Sequence, residues 1–171
     1  MTDGAISHIG MIRNRPEKGR AAIGQADELS YEIGNDTDEE HLMEIRIAAA
    51  AIVREDGATL LVRKRGTSAY MQPGGKIDSN EAPLDALRRE LSEELALDVR
   101  PEEAEYLGRF SAPAANEPGC IVTAEMFRVR LNDDVEAQAE IEEVRWLLPG
   151  AESLLTLAPL TRDVVLPAIW S

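Results

Sequence analysis

The sequence is poor in cysteine and in aromatic residues, and each shortage excludes a class of protein. Cys120 is the only cysteine in the chain of 171 residues. Neither an internal disulfide nor a cysteine-rich zinc site can therefore form. Aromatic residues make up 4% of the chain and hydrophobic residues 44%. We therefore expect a sizeable core filled mostly by aliphatic side chains.

Positive charge is also scarce, with 18 basic residues against 32 acidic ones and a formal net charge of −14. Nonspecific binding to DNA or RNA depends on basic side chains that neutralise phosphates, so we expect no polymeric nucleic-acid partner. An anionic membrane surface would repel the chain, and no apolar run approaches the roughly 20 residues that cross a bilayer. The start of the sequence lacks the apolar middle of a secretory signal, which makes the cytoplasm the expected location.

The chain is predicted to divide near residue 42. Residues 1–42 are rich in Gly, Asp, Glu and Asn and show no sustained hydrophobic period. We interpret them as an N-terminal extension that is flexible or packed on the domain or on a partner subunit, which leaves a homodimer open. Residues 43–171 are predicted to form the folded domain.

Five strands and two helices are predicted within that domain. Hydrophobic runs and alternation favour strands over residues 44–53, 58–64, 104–112, 120–131 and 141–148. A loop is predicted over 65–76, and a short helix within 161–170. This order of elements predicts an α/β protein with a mixed sheet and helices packed on it.

The first helix follows the loop and has a clear apolar side. Asn80 or Ser79 is expected to cap it, and Pro83 falls in its first turn, where a missing N–H does no harm. One stripe of leucines follows at three- and four-residue steps, at Leu84, Leu87, Leu91 and Leu95.

Three glutamates, Glu90, Glu93 and Glu94, lie within one turn of this helix. Like charges at that spacing repel each other. Either they form a solvated face, or a cation binds between them. They flank the leucine stripe, and Gly74 and Gly75 before the helix let the backbone approach and offer a carbonyl. Clustered carboxylates and a carbonyl are oxygen ligands suited to Mg²⁺ or Mn²⁺.

The stretch 75–97 resembles the Nudix box. That pattern is Gly, five residues, Glu, seven residues, Arg-Glu, an aliphatic residue, any residue, Glu-Glu, any residue, Gly and an aliphatic residue. The sequence supplies Gly75, Glu81, Arg89, Glu90, Leu91, Glu93, Glu94 and Leu97 at these positions. Ala96 replaces the last glycine, and we expect the helix to run on slightly to accommodate it. The strand order is also similar to the α/β/α sandwich of that family.

The resemblance implies a metal-dependent hydrolase. Glu90, Glu93 and Glu94 would hold Mg²⁺ or Mn²⁺, assisted by the Gly75 carbonyl. The substrate would be a small-molecule nucleotide, a nucleoside diphosphate linked to another group, with an oxidised or otherwise noncanonical nucleoside triphosphate among the options. Water would attack a phosphorus atom of the diphosphate.

The resemblance also assigns supporting roles. Arg89 would orient the carboxylates through an ion pair, and Glu81 would brace the junction between loop and helix. The general base varies in the family and can be a glutamate of the box or a later one. The later candidates are Glu117, Glu140, Glu142 and Glu143. We favour Glu140, because it precedes a predicted strand and can lie on a loop that faces the helix.

Substrate contacts are predicted at two further places. Arg63, Lys64 and Arg65 form a local basic cluster that could guide phosphate, although a solvated strand face explains them equally well. Tyr70 either stacks on a base or packs against the sheet. Asn116 and Glu117 lie in a predicted loop and either contact the substrate or serve ordinary turn chemistry.

Two other functions remain as alternatives. A nucleotide-sensing module would bind without cleavage, but it would not need all three glutamates. Isomerisation of an isoprenoid diphosphate occurs on a similar fold and uses a cysteine ahead of the box, whereas Cys120 comes after it.

Overall fold

A computed structural model describes residues 43–171 of the chain. Its strands are β1 (Met43–Val53), β2 (Thr59–Lys64), β3 (Gly74–Lys76), β4 (Ala104–Pro113), β5 (Cys120–Arg130) and β6 (Ile141–Leu147). Its helices are α1 (Pro83–Leu95) and α2 (Leu166–Ile169), with a π-helical turn over Thr161–Val165 and 3₁₀ turns over Pro101–Glu103 and Glu152–Leu154. The extension predicted over 1–42 lies outside the described residues, and the division near residue 42 stays a prediction.

The strands form one mixed sheet of order β4-β5-β1-β2-β6, and the short strand β3 pairs with β1. β1 and β5 run parallel along their whole length, while the other pairs are antiparallel. A loop was predicted where β3 lies. The pairing of Gly74 with Ala49 shows that this segment continues the sheet and carries the start of the box against the central strand.

The central strand is buried on both faces because helical segments cover both sides of the sheet. Ala48, Ala50 and Ile52 pack against α1 through Leu87 and Leu91. Ala49 and Ala51 point to the other face and pack against Leu160 and Val165. These two residues belong to the C-terminal segment, residues 158–171. Strands buried on both faces read as continuous hydrophobic runs, which explains the sequence of β1. The predicted α/β/α sandwich with a mixed sheet is confirmed.

The leucine stripe of α1 is confirmed, but its predicted cap is wrong. Leu87 and Leu91 are fully buried, whereas the N-cap position is Ala82, which makes no side-chain cap. Asn80 instead has a positive φ of 68° in the turn before the helix. Asparagine tolerates a positive φ better than most residues. Asn80 therefore stabilises the turn before the helix and does not cap the helix itself.

The end of α1 also differs from the prediction. The helix stops at Leu95, and Ala96 takes the left-handed conformation with φ 54° and ψ 30°. Its N–H and that of Leu97 bond back to the carbonyls of Ser92 and Leu91. The alanine therefore adopts the geometry that a glycine would adopt there, instead of letting the helix run on.

Ala96→Gly is accordingly expected to raise the free energy of unfolding by about 0.5–1 kcal/mol, because glycine removes the left-handed strain at this position. Urea unfolding measures the change. The control is Ala86→Gly, at a buried position inside the same helix, which is expected to lower stability by about 1 kcal/mol or more. An Ala96→Gly variant less stable than the wild type would contradict the proposed backbone strain at Ala96.

Within residues 43–171 the longest helix is α1, and none has the length and apolar character of a membrane span.

Candidate active site

Two consecutive glycines bring the backbone into the space between β1 and α1. Gly74 has a φ of 142°, and a Cβ on it would collide with the Ala48 carbonyl and the Ala49 backbone. A Cβ on Gly75 would instead overlap the carboxyl group of Glu90. Glycine is therefore required at both positions, for close backbone packing at the first and for the Glu90 carboxylate at the second.

Glu94 is fully buried behind this turn. Its Oε2 accepts a hydrogen bond of 2.9 Å from the Gly74 N–H. The Lys64 ammonium approaches Oε1 at 3.0 Å as an ion pair without hydrogen-bond alignment, so that Oε1 has no hydrogen-bond donor within residues 43–171. Burial raises the pKa of Glu94 above its usual value, and the Lys64 charge opposes that rise.

Arg89 connects the start of α1 to its carboxylates. Its Nε and Nη2 donate to both oxygens of Glu81 at 3.0 and 2.9 Å, and its Nη1 donates to Oε1 of Glu90 at 2.6 Å. These bonds raise the pKa of Arg89, and the Arg89 guanidinium lowers the pKa of Glu81. The fork of an arginine holds two carboxylates in fixed orientation, which a lysine would not do.

The third glutamate stands apart from the other two. The Glu93 side chain is 58% exposed, and its carboxylate lies 4.0 Å from the Arg89 guanidinium. Within the described residues, no three acidic, histidine or cysteine side chains converge closely enough to enclose an ion. Lys64 pairs with Glu94, and Arg89 pairs with Glu90.

A cavity of about 370 Å³ opens beside Glu90, Gly74 and Gly75. Apolar residues of β1, β5 and the C-terminal segment form its walls: Ile45, Ile47, Ala49, Val122, Ala158 and Leu160. Polar residues line the rest: Lys64, Gln72, Lys76, Asn116, Glu117, Glu140 and Thr161. An apolar cleft with a few polar groups, next to clustered carboxylates, has the character of a ligand site.

The sequence and this architecture agree with one known family. A protein-family model described as NUDIX domain matches residues 43–168. The chain belongs to the Nudix family.

Individual relatives cover the Nudix chain only in part. It is 30% identical over 106 residues to a MutT-like protein of Streptomyces ambofaciens, across 61% of this chain and 64% of that protein. It is 40% identical over 57 residues to an RNA pyrophosphohydrolase of Halorhodospira halophila, across 33% of this chain and 30% of that protein. The chain thus spans less than two thirds of the length of each.

Among solved structures, the fold is similar to a bifunctional NMN adenylyltransferase/ADP ribose pyrophosphatase from Francisella tularensis, complexed with AMP and a manganese ion. The TM-score is 0.56 at 16% identity, over 74% of this chain and 42% of that chain. At this identity the likeness concerns the fold.

The donor set around the two glycines fits a divalent metal ion. The Glu90 carboxylate lies against Gly75 and Glu94 bonds to the Gly74 N–H, so two hard oxygen donors adjoin the same piece of backbone. The buried Oε1 of Glu94 faces only the Lys64 cation at 3.0 Å among residues 43–171. Glu93 precedes Glu94 in α1, and neither of them is among the residues that line the cavity. The Lys64 ammonium would have to leave Glu94 for a cation to take its place, since both are positive.

The structure brings Asn116, Glu117 and Glu140 to the cavity, as residues that line it. Glu140 also accepts a hydrogen bond of 3.0 Å from Lys64, which lowers the pKa of its carboxyl group. Among the other candidates for a general base, Glu142 and Glu143 are engaged with Arg63.

Three predicted substrate-binding residues, Arg63, Arg65 and Tyr70, are not among the residues that line the cavity. Arg63 donates to Glu142 at 2.7 Å and to Glu143 at 3.0 Å. Tyr70 is buried against Leu61 and Leu157 and donates its hydroxyl to Glu143 at 2.5 Å. These contacts favour the structural alternatives stated for Arg63 and Tyr70.

The cluster of Glu143 with Tyr70, Arg63 and Arg145 makes the free energy of unfolding depend on pH. Hydrogen bonds from Tyr70, Arg63 and Arg145 lower the pKa of Glu143 from 4.5 to about 2. A carboxyl group whose pKa is lower in the folded state stabilises the fold at pH values above its unfolded-state pKa. That contribution is lost as the pH falls through the folded-state pKa. Glu143→Gln is therefore expected to be less stable than the wild type at neutral pH, with a difference that shrinks between pH 4.5 and about 2. Urea unfolding across that range tests this, and a difference independent of pH would contradict it.

Sequence reasoning missed part of this site. Gln72 directly precedes the Pro73-Gly74-Gly75 turn, and that proximity was an available signal. Thr161 and the segment 158–160 are far away along the chain and carry no motif, and only the fold brings them to the cavity.

Proposed function

We propose that the protein hydrolyses the diphosphate linkage of a nucleoside diphosphate derivative, with Mg²⁺ or Mn²⁺ as cofactor. The observation that carries this proposal is the position of the Glu90 carboxylate. It lies against Gly75 and at the border of the cavity, so oxygen ligands and a substrate cleft share one wall. The relative from Halorhodospira halophila, which is called an RNA pyrophosphohydrolase, supports the reaction class.

The residues of the chain have distinct tasks in this reaction. Glu90, Glu93 and Glu94, with the Gly75 carbonyl, would hold the cation. The cation supplies charge that neutralises the diphosphate and lowers the pKa of water. Arg89 holds Glu90 in place through its bond to Oε1. The apolar walls of the cavity would exclude bulk water from the linkage that is cleaved.

Glu140 is the proposed proton acceptor. It lines the cavity and, together with Glu94, contacts the Lys64 ammonium. Once Lys64 turns toward a substrate phosphate, Glu140 would lose its strongest partner and become more basic. Glu117 also lines the cavity and is the remaining candidate outside the box.

A panel of nucleoside triphosphates, dinucleoside polyphosphates and nucleotide sugars, assayed with Mg²⁺, with Mn²⁺ and with a chelator, tests the proposal. We expect phosphate-containing products from at least one class, and only when metal is present. Tight nucleotide binding without cleavage of any compound would instead support the sensing module. The expected homodimer and cytoplasmic location stay predictions.

A further inference from the structure

The Gln72 side chain is buried beside the cavity and leaves half of its amide group unpaired. Gln72 is 6% exposed, and Thr161, which contacts it, is fully buried. The Thr161 hydroxyl donates to Oε1 of Gln72 at 2.7 Å. Within residues 43–171, Nε2 of Gln72 has no hydrogen-bond partner. Both residues line the cavity, and Nε2 itself is closed to solvent. An acceptor on a bound ligand can satisfy this buried donor after a small shift of the side chains around it.

Thr161 determines which end of the amide is free. A separation of 2.7 Å suits an O–H···O bond, whereas N–H···O bonds centre near about 2.9–3.0 Å. The hydroxyl therefore donates to the amide oxygen, and the two N–H groups of Nε2 stay unused. With its oxygen turned to Thr161, Gln72 offers donors only. It cannot form the paired donor and acceptor contact by which a free glutamine recognises adenine.

The backbone on both sides of Gln72 is fixed. The Tyr70 N–H donates to Thr156 at 2.8 Å, and the Ala50 N–H donates to the Pro73 carbonyl at 3.0 Å. Gln72 precedes Gly75 by three residues, which span at most about 10 Å. A nucleotide whose diphosphate lies at Gly75 therefore has its sugar or base within reach of Gln72. A polar group held this rigidly can discriminate between ligands.

The walls around this donor suit a flat base. Ile45, Ile47, Val122 and Leu160 present aliphatic surface to the cavity, and no aromatic residue of the described part of the chain lines it. A base would be packed between aliphatic side chains and read at its edge by hydrogen bonds.

We infer that Gln72 is a specificity-determining residue that donates a hydrogen bond to a keto oxygen of the nucleotide base, and that Thr161 is the positioning residue that engages the amide oxygen and leaves the N–H end for the ligand. Uracil and guanine carry such an oxygen where cytosine and adenine carry an amino group. An amino group at that position would place its N–H donors opposite the N–H donors of Gln72. The inference rests on the proposed function and specifies its substrates as nucleotides with keto bases.

The test compares kcat/KM for UTP against CTP and for GTP against ATP, with Mg²⁺. The wild type is expected to favour the keto partner by about tenfold or more, the equivalent of one hydrogen bond. Gln72→Met keeps the size of the side chain without its donors and is expected to abolish the preference. Thr161→Val is expected to do the same with Gln72 intact, because the released amide can rotate. Thr161→Ser keeps the hydroxyl and should retain the preference.

Thr59→Val is the matched control, because Thr59 is a fully buried threonine whose hydroxyl donates to the Ile52 carbonyl away from the cavity. It should leave the base preference unchanged even if stability falls. Calorimetric binding of UMP and CMP gives a second readout that does not depend on turnover. If Thr161→Val fails to fold, the comparison of Gln72→Met with Thr161→Ser decides.

The outcomes separate the two proposals. Hydrolysis of nucleotides with no keto preference in the wild type, or with the preference intact in Gln72→Met, overturns this inference alone. A preference lost equally in Thr161→Ser overturns the role of the Thr161 hydroxyl. Failure of the wild type to hydrolyse any nucleotide overturns the proposed function and this inference with it.

Discussion

Glu94→Gln is expected to lower turnover by about 100-fold or more, which corresponds to about 3 kcal/mol of lost transition-state stabilisation. The amide oxygen of glutamine can still accept the Gly74 N–H bond that Glu94 accepts at 2.9 Å. The charge is lost, however, and with it the affinity for a hard divalent cation. Steady-state kinetics with Mg²⁺ measures the effect.

The fold of this variant should persist, since only the Lys64 ion pair is removed and Lys64 keeps Glu140 as a partner. Circular dichroism and thermal unfolding check this. Glu102→Gln makes the same chemical change at a side chain that is 65% exposed in the turn after α1, and it should retain full activity. Near-normal turnover of Glu94→Gln would remove Glu94 from the proposed metal site.

The two glycines of the box are expected to respond to alanine in opposite ways. At Gly74, where φ is 142°, the added Cβ meets rigid backbone of β1. We expect Gly74→Ala to lose about 3 kcal/mol of stability or more. At Gly75 the three atoms nearest to the added Cβ all belong to the Glu90 carboxyl group, the end of a flexible side chain that can rotate away. We expect Gly75→Ala to fold with a loss below about 1 kcal/mol.

Activity should show the reverse contrast. Displacement of the Glu90 carboxylate removes a proposed metal ligand, so Gly75→Ala is expected to lose about 100-fold in kcat/KM while remaining folded. Gly66→Ala is a matched control, because Gly66 has a positive φ of 79° but no atom within 4 Å of its added Cβ. It should lose stability modestly and keep its activity. A fully active Gly75→Ala variant would contradict the assignment of Glu90.

Local patterns predicted the parts of the structure that local interactions determine. The leucine spacing identified the buried side of α1, and Leu87 and Leu91 are fully buried there. The apolar run over 44–53 identified a strand, and the structure adds that its central residues are covered on both faces. Gly75 and Glu90 belong to the same motif and lie against each other in the structure. Only one turn and the first part of α1 separate them along the chain.

Contacts between distant segments could not be predicted in the same way. Tyr70 and Arg63 were candidates for substrate contact, yet their partner Glu143 lies in β6 and is brought to them by the β2–β6 pairing. Thr161 reaches Gln72 only because the C-terminal segment packs across the sheet. The conformation of Ala96 was mispredicted. Its backbone bonds to the carbonyls at the end of α1 stabilise the left-handed conformation more than the helix propensity of alanine favours another turn of helix.

Titration with Mn²⁺, followed by the electron paramagnetic resonance signal of the free ion, tests the central claim most directly. The account predicts that the wild type takes up Mn²⁺, alone or with a nucleoside monophosphate, and that Glu94→Gln weakens this uptake by about tenfold or more. Uptake equal in both proteins, or none by the folded wild type, would contradict it.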